Sequence, residues 1–263
     1  MNQIKNQISD GFSIANNAFK FLGRNWSLLL FPAISTLFFG ILIVVANRLF
    51  ALFKISNDSV FIYVVNIIAG VSFIFFDLAL AYATHHRLQN EETSATSILK
   101  TVTQKMGSIV LWGVPFGLLF VNVSSLIHFT GHVGESFISV LLNGIALSAL
   151  CTAESILLAI MVYEPIGFYH TLKRYLFLGY QLFWQFFGGF CFFLPSIIFP
   201  LLLLKKIKIS NFFAIELLVK IIGATSLIIA MTAIIIFGVL LYRRHQRETM
   251  QEFIIDVRST WMN

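Results

Sequence analysis

The sequence predicts an all-α membrane protein: a polytopic helical bundle of six transmembrane helices, arranged as three hairpins and joined by amphipathic elbow helices on the cytoplasmic side. Three observations predict it. Of the 263 residues, 58% are hydrophobic and only 11% charged, against roughly 25% charged in a soluble domain; mean hydropathy is +0.85, and such an apolar excess needs lipid as its solvent. Six apolar runs follow one another, each near the roughly 20 residues that a spanning helix needs. Between alternate runs lie basic segments with helical apolar periodicity, the pattern of helices lying in the membrane interface.

Residues 8–25 open the chain as an interfacial helix. Ile8, Phe12, Ala15, Phe19, Leu22 and Trp26 recur at spacings of four and three, with Asp10, Lys20 and Arg24 elsewhere on the wheel. The first span, 26–46, carries Pro32 near its start, where a helix tolerates proline best. A polar link with Arg48 and Lys54 leads to the second span, 60–84, whose single charge is Asp77. Residues 94–106 form the second elbow, capped by Thr93 or Ser94, with Ile98, Leu99 and Val102 among its apolar positions.

The third span, 108–127, again opens with tryptophan and proline, Trp112 and Pro115. A glycine-bearing link without Lys or Arg then leads to the fourth, 136–163, which contains Glu154. Pro165 suits the first turn of the third elbow, 165–181, where Phe168, Leu172 and Leu176 stand opposite His170, Lys173 and Arg174. The fifth span, 183–204, holds Gly188, Gly189, Pro195 and Pro200 and is predicted to bend. The sixth covers 215–242, and 246–262 forms a final interfacial helix. Residues 1–263 therefore read as a single integral membrane domain that uses one unit three times: elbow, proline-bearing span, short link, returning span. The returning spans end alike, at Tyr82, Tyr163 and Tyr242, as an aromatic belt predicts.

Most of the 18 Lys and Arg residues fall in the N-terminal segment, the two long loops and the tail, whereas the short links carry only Arg48, Lys54, Lys205, Lys206 and Lys208. The positive-inside rule places both termini and all four amphipathic helices in the cytoplasm. The net charge of +6 is thus a topology signal, and no nucleic-acid partner is expected. The first 25 residues lack an early apolar core with a cleavage site, so no cleaved signal is expected. Cys151 and Cys191 lie in apolar runs and give neither a disulfide framework nor a zinc spacing.

An ionisable residue inside a membrane is costly enough to be a functional candidate. Asp77 and Glu154 lie in spans of the same direction at similar depth, and Asn143, about three turns before Glu154, shares its face. They form a candidate intramembrane polar site, for a proton, a cation or a cationic headgroup; the alternative is that each carboxyl only fixes helix packing through Ser, Thr or Asn neighbours. Lys20, Arg24, Lys173, Arg174, Arg243 and Arg244 are candidate headgroup contacts. Glu216 and Lys220 are spaced as a helical ion pair at the outer boundary. A stripe of Gly144, Ser148, Thr152, Ser155 and Ala159 permits close helix approach, within the chain or to a second copy. His85 and His86 with Glu91 and Glu92, and His128 and His132 with Glu135, match no zinc helix. No metal, cofactor or catalytic residue is expected.

Three stretches, FSIANNAFKFLGRNWSLLLFPAIS, FIFFDLALAYATHHRLQNEETSATSILKTV and YEPIGFYHTLKRYLFLGYQLFWQFFG, resemble an uncharacterised family of bacterial six-helix integral membrane proteins, a domain of unknown function. Its members similarly begin with an amphipathic helix running into LLLFP. Asp77 stands where such proteins carry an amide. The resemblance covers the chain to about Gly189 and implies a bacterial cytoplasmic (inner) membrane, but brings no activity with it.

The leading expectation is a non-enzymatic multi-pass inner-membrane protein whose amphipathic elbows bind membrane lipids, with another membrane protein or a second copy as further candidate partners. The alternative is a small transporter or channel that uses Asp77 and Glu154. A membrane-embedded enzyme comes third, since no nucleophile motif or metal set is present.

Overall fold

The computed structural model describes residues 2–53, 58–130, 137–164, 167–206 and 213–261, and among them every regular element is helical. Helix α1 (Asn2–Arg24) is followed by a 3₁₀ turn (Trp26–Leu29), α2 (Leu30–Phe53), α3 (Asp58–Leu88), α4 (Ala95–Thr103) and α5 (Met106–Thr130). Then come α6 (Phe137–Tyr163), α7 (Phe168–Gln181), α8 (Phe183–Lys206) and α9 (Phe213–Trp261). Among the described residues, five stretches are long and apolar enough to cross a membrane: Trp26–Ala46, Tyr63–Leu88, Gly144–Tyr163, Phe183–Leu203 and Glu216–Thr249. The third predicted span lies within the 25 residues of α5, whose described side chains, Met106–Leu119, form a further apolar stretch.

Local chemistry sets the helix ends. α3 runs past residue 84 to Leu88 and stops at Asn90, whose φ of 58° lies in the left-handed region that asparagine tolerates. There the Glu91 N–H reaches the His86 carbonyl at 3.0 Å and the Asn90 N–H reaches Arg87 at 3.2 Å, which satisfies the last carbonyls of the helix. Of the two cap candidates for α4, Ser94 serves: its hydroxyl accepts from the Ser97 N–H at 3.2 Å. α8 continues as a helix through Pro195 and Pro200.

The sequence separates a span ending at 242 from an interfacial helix starting at 246, but α9 is one helix of 49 residues. The intervening Arg243-Arg244-His245-Gln246-Arg247 contains no Gly or Pro. The Arg244–Glu248 pair at 2.7 Å supports the helix across the boundary at i, i+4 spacing. At 1.5 Å per residue it is about 74 Å long, more than twice a hydrocarbon core of about 30 Å.

The centre of the bundle is made by α3, α6 and α9, which run in the same direction. Leu80, Leu158, Ile160, Ile234 and Phe237 have no exposed surface. α5 packs more extensively on α3 than on α6, its neighbour in sequence. Glycines explain this: a Cβ on Gly70 would come within 2.4 Å of the Gly113 carbonyl oxygen and 2.6 Å of the Gly117 nitrogen, so the backbones meet at a distance no side chain allows. The stripe on α6 is likewise spent inside the chain. Gly144 faces Ile198 of α8, Gly238 of α9 sits on Ser155, and Ser148, Thr152 and Ala159 are buried.

α1 departs from its expected face. Phe12 and Trp26 are exposed, and the buried stripe is Gly11, Ile14, Ala15, Ala18 and Leu22. Small residues win because α1 packs closely against α8: a Cβ on Gly188 would lie 2.3 Å from the Ile8 carbonyl oxygen. Only small side chains fit the closest part of this contact, so Phe12 sits at its exposed margin and meets Phe192 of α8 edge-on at 5.8 Å.

Candidate functional site

Asp77 and Glu154 are brought together. The ends of α3 and α6 meet where His85 stands edge-on to Tyr163, with ring centroids 4.5 Å apart. Asp77 is eight residues before His85 and Glu154 nine before Tyr163, so each carboxyl lies about 12 to 14 Å from that end and the two share a layer. Their side chains are close enough to hydrogen-bond to one another. Asp77 is 6% exposed and Glu154 9%. Asn143, the third predicted member, has its side chain outside the described residues.

A cavity of about 300 Å³ opens beside the pair. Its walls are mainly apolar, with Phe39 from α2, Phe73 from α3, Phe116 from α5, Leu147 from α6 and Met231 from α9. Along α3 it reaches from Asp77 to Asn66, eleven residues or about 16 Å, away from the His85 end. On the other side of the carboxyls the bundle is filled by the packed layer of Leu80, Leu158, Ile160 and Phe237. The pair is therefore the polar floor of an otherwise apolar chamber.

Among the described residues no Lys, Arg or His lines this cavity. Apart from the Asp77 carboxyl, Glu154 Oε1 is buried without a hydrogen-bond partner among the described residues. The arrangement is suited to a ligand group that donates hydrogen bonds, carries positive charge, or does both. Cys151, one turn before Glu154, shares the lining. Burial raises the hydroxyl pKa of Tyr175 of α7, and the Glu154 carboxyl acts in the same direction. Neither was anticipated, although the i, i+3 spacing of Cys151 and Glu154 already put the thiol on that face.

The His85 end of the bundle is tied by polar contacts that the sequence did not reveal. Glu164, in the break between α6 and α7, accepts from Arg174 Nε at 3.1 Å and from the Tyr242 hydroxyl. Tyr242 stacks on Tyr163, so the C-terminal ends of α3, α6 and the apolar part of α9 converge there. Arg243 donates to the Leu88 carbonyl at 2.9 Å, and Arg244 reaches Asp10 of α1 at 3.2 Å. Lys105, whose pKa burial lowers, lies over the Tyr82 ring at 5.3 Å and donates to the Met161 carbonyl.

These contacts divide the candidate headgroup residues. Arg174, Arg243 and Arg244 are engaged within the protein, whereas Lys20, Arg24 and Lys173 are exposed. Beside Lys173, α7 turns Tyr169, Leu176, Phe177 and Tyr180 outward, the last 86% exposed. Glu216 and Lys220 form the ion pair their spacing suggests. His86 Nδ1 meets Glu91 Oε2 at 2.6 Å, and among the described residues no group of three His, Cys, Asp or Glu side chains is placed to hold a metal ion. The side chains of His128, His132, Glu135, Lys205, Lys206 and Lys208 lie outside the described residues.

No family model matches the sequence, and no curated protein and no solved structure matches it.

Proposed function

We propose that the chain is a six-span bacterial inner-membrane protein, three hairpins with cytoplasmic elbows, that binds a small amphiphilic molecule in the cavity above Asp77 and Glu154 and acts as a carrier rather than an enzyme. The observation that carries this reading is the buried carboxyl pair, with no basic side chain in the described lining, at the floor of a mainly apolar chamber of about 300 Å³, the lower end of the range for ligand pockets. The packed layer between the carboxyls and the His85 end supports a state closed towards the cytoplasm. The basic residues clustered at that end support its orientation.

A structure determined in lipid tests the reading. Non-protein density between Glu154 and Asn66 is expected; a cavity closed by the protein's own side chains would overturn it.

One observation favours a second reading, in which the elbows bind lipid or a membrane partner. α7 exposes Tyr169, Leu176, Phe177 and Tyr180 next to Lys173, an apolar face with a cation at its margin that suits an anionic membrane surface. The two readings are compatible, since the elbow grips the bilayer outside the chamber.

A further inference from the structure

We infer that the chamber takes a lipophilic organic ammonium ion in exchange for a proton held between Asp77 and Glu154. The inference rests on the carrier reading above and names its substrate class. Four features of the site lead to it.

Two carboxyl groups within hydrogen-bonding reach in an apolar surrounding do not ionise while no cation accompanies them, so the empty pair keeps its protons. Among the described residues the lining brings no such cation. Of its helices, α2, α5 and α9 contribute no titratable side chain there, α3 contributes Asp77, and α6 contributes Glu154 and Cys151. Tyr175 of α7 is a further titratable group, on whose hydroxyl the Glu154 carboxyl acts. None of these is basic, and the positive charge must come from the ligand.

Apart from the Asp77 carboxyl, no described group donates to Glu154 Oε1, so an ammonium N–H meets no competing donor of the protein there. The rest of the chamber selects the tail. Phe39, Phe73 and Phe116 offer aromatic surface, favourable to both an apolar chain and a nearby cation. The length of about 16 Å from Asp77 to Asn66 accommodates an alkyl or aryl group along walls that are apolar except for Thr36, Cys151 and the far end at Asn66.

Charge balance gives the exchange its direction. The empty pair, with both carboxyls protonated, is neutral. When the ammonium enters and one proton leaves, one carboxylate, one carboxylic acid and one cation remain, and the site is again neutral. The low-dielectric site never carries a net charge, whereas binding without proton release would leave the charge of the cation uncompensated.

The full-length protein in phosphatidylcholine nanodiscs is titrated calorimetrically with octylammonium chloride and, separately, octanol, in buffers of different ionisation enthalpy, with empty nanodiscs subtracted. Saturable octylammonium binding with release of about one proton is expected, tightening about tenfold per pH unit while the empty pair holds its protons. Octanol should bind without proton release. Glu154→Gln and, independently, Asp77→Asn should abolish the release and weaken octylammonium at least about tenfold, a loss of about 1.4 kcal/mol, while leaving octanol unchanged.

Octylammonium binding without proton release overturns the exchange and leaves the chamber as a binding site. Saturable binding of octanol alone overturns the substrate class. No saturable binding of either compound overturns the carrier reading together with the exchange.

Discussion

Tyr163 and Tyr242 stack with ring centroids 5.2 Å apart and planes 28° from parallel, joining the end of α6 to the middle of α9, far away in sequence. Their contact is completed by Glu164, which accepts from both the Tyr242 hydroxyl and Arg174. Tyr242→Phe keeps the stack and removes one donor, so it should cost about 1 kcal/mol; Arg174→Ala removes a charged donor and should cost about 1.5 to 3 kcal/mol. Because both act on one carboxylate, the double variant should depart from additivity by at least about 0.5 kcal/mol. Denaturant unfolding in mixed micelles checks this, and strictly additive losses would show that Glu164 does not couple the helices.

The crossing of α3 and α5 gives a sharper steric prediction. A Cβ at Gly113 would lie 2.5 Å from the Val71 Cα, whereas one at Gly107 meets nothing within 4 Å. Gly113→Ala should destabilise by about 1 to 3 kcal/mol, since the backbones must separate. Gly107→Ala should be neutral or stabilise by up to about 1 kcal/mol through helix propensity. Thermal unfolding of the two variants in the same detergent tells them apart.

The contrast between these glycines shows which features the sequence carries. Apolar runs and their basic flanks predict the helices because they follow from solvent and period alone. The layer of Asp77 and Glu154 could also be read, because both are counted from the ends of helices running in the same direction. Contacts between distant segments could not. Nothing local in Gly70 and Gly113 says that they meet each other, and nothing in the break at Glu164 names Arg174 and Tyr242 as its partners. The face of α1 was misread for a related reason: periodicity favours its bulky Phe12, but packing against α8 favours Gly11, Ala15 and Ala18. The chamber is a property of five helices at once and has no signature in any of them.

The division among basic residues predicts two classes of variant. Lys20, Arg24 and Lys173 are exposed, so changing all three to Gln should weaken retention of anionic lipid by up to about 1 kcal/mol per charge and leave unfolding unchanged. Arg243→Gln and Arg244→Gln should instead lower stability, by removing the contacts to Leu88 and Asp10. Native mass spectrometry of bound phosphatidylglycerol, beside unfolding curves, measures both. Equal lipid loss in the two classes would contradict the division.

The carboxyl pair separates a functional role from a packing role through stability itself. A pair kept for packing contributes hydrogen bonds that its amide analogues reproduce imperfectly, so Asp77→Asn with Glu154→Gln would destabilise the bundle. A pair kept for a ligand has the opposite signature. Two nearly buried carboxyls with no cation among the described lining residues burden the empty protein, because desolvation holds on them protons that they would shed in water at neutral pH, at a cost above what their shared hydrogen bond returns. Replacing both with neutral amides removes that cost, and the double variant should be as stable as the parent or more so, by up to about 1 to 4 kcal/mol, while binding of octylammonium is lost. Stability gained as function is lost is the pattern of a site under functional constraint. Unfolding of parent and double variant at neutral pH, without added ligand, decides the sign, and a loss of more than about 1 kcal/mol would assign the pair to packing.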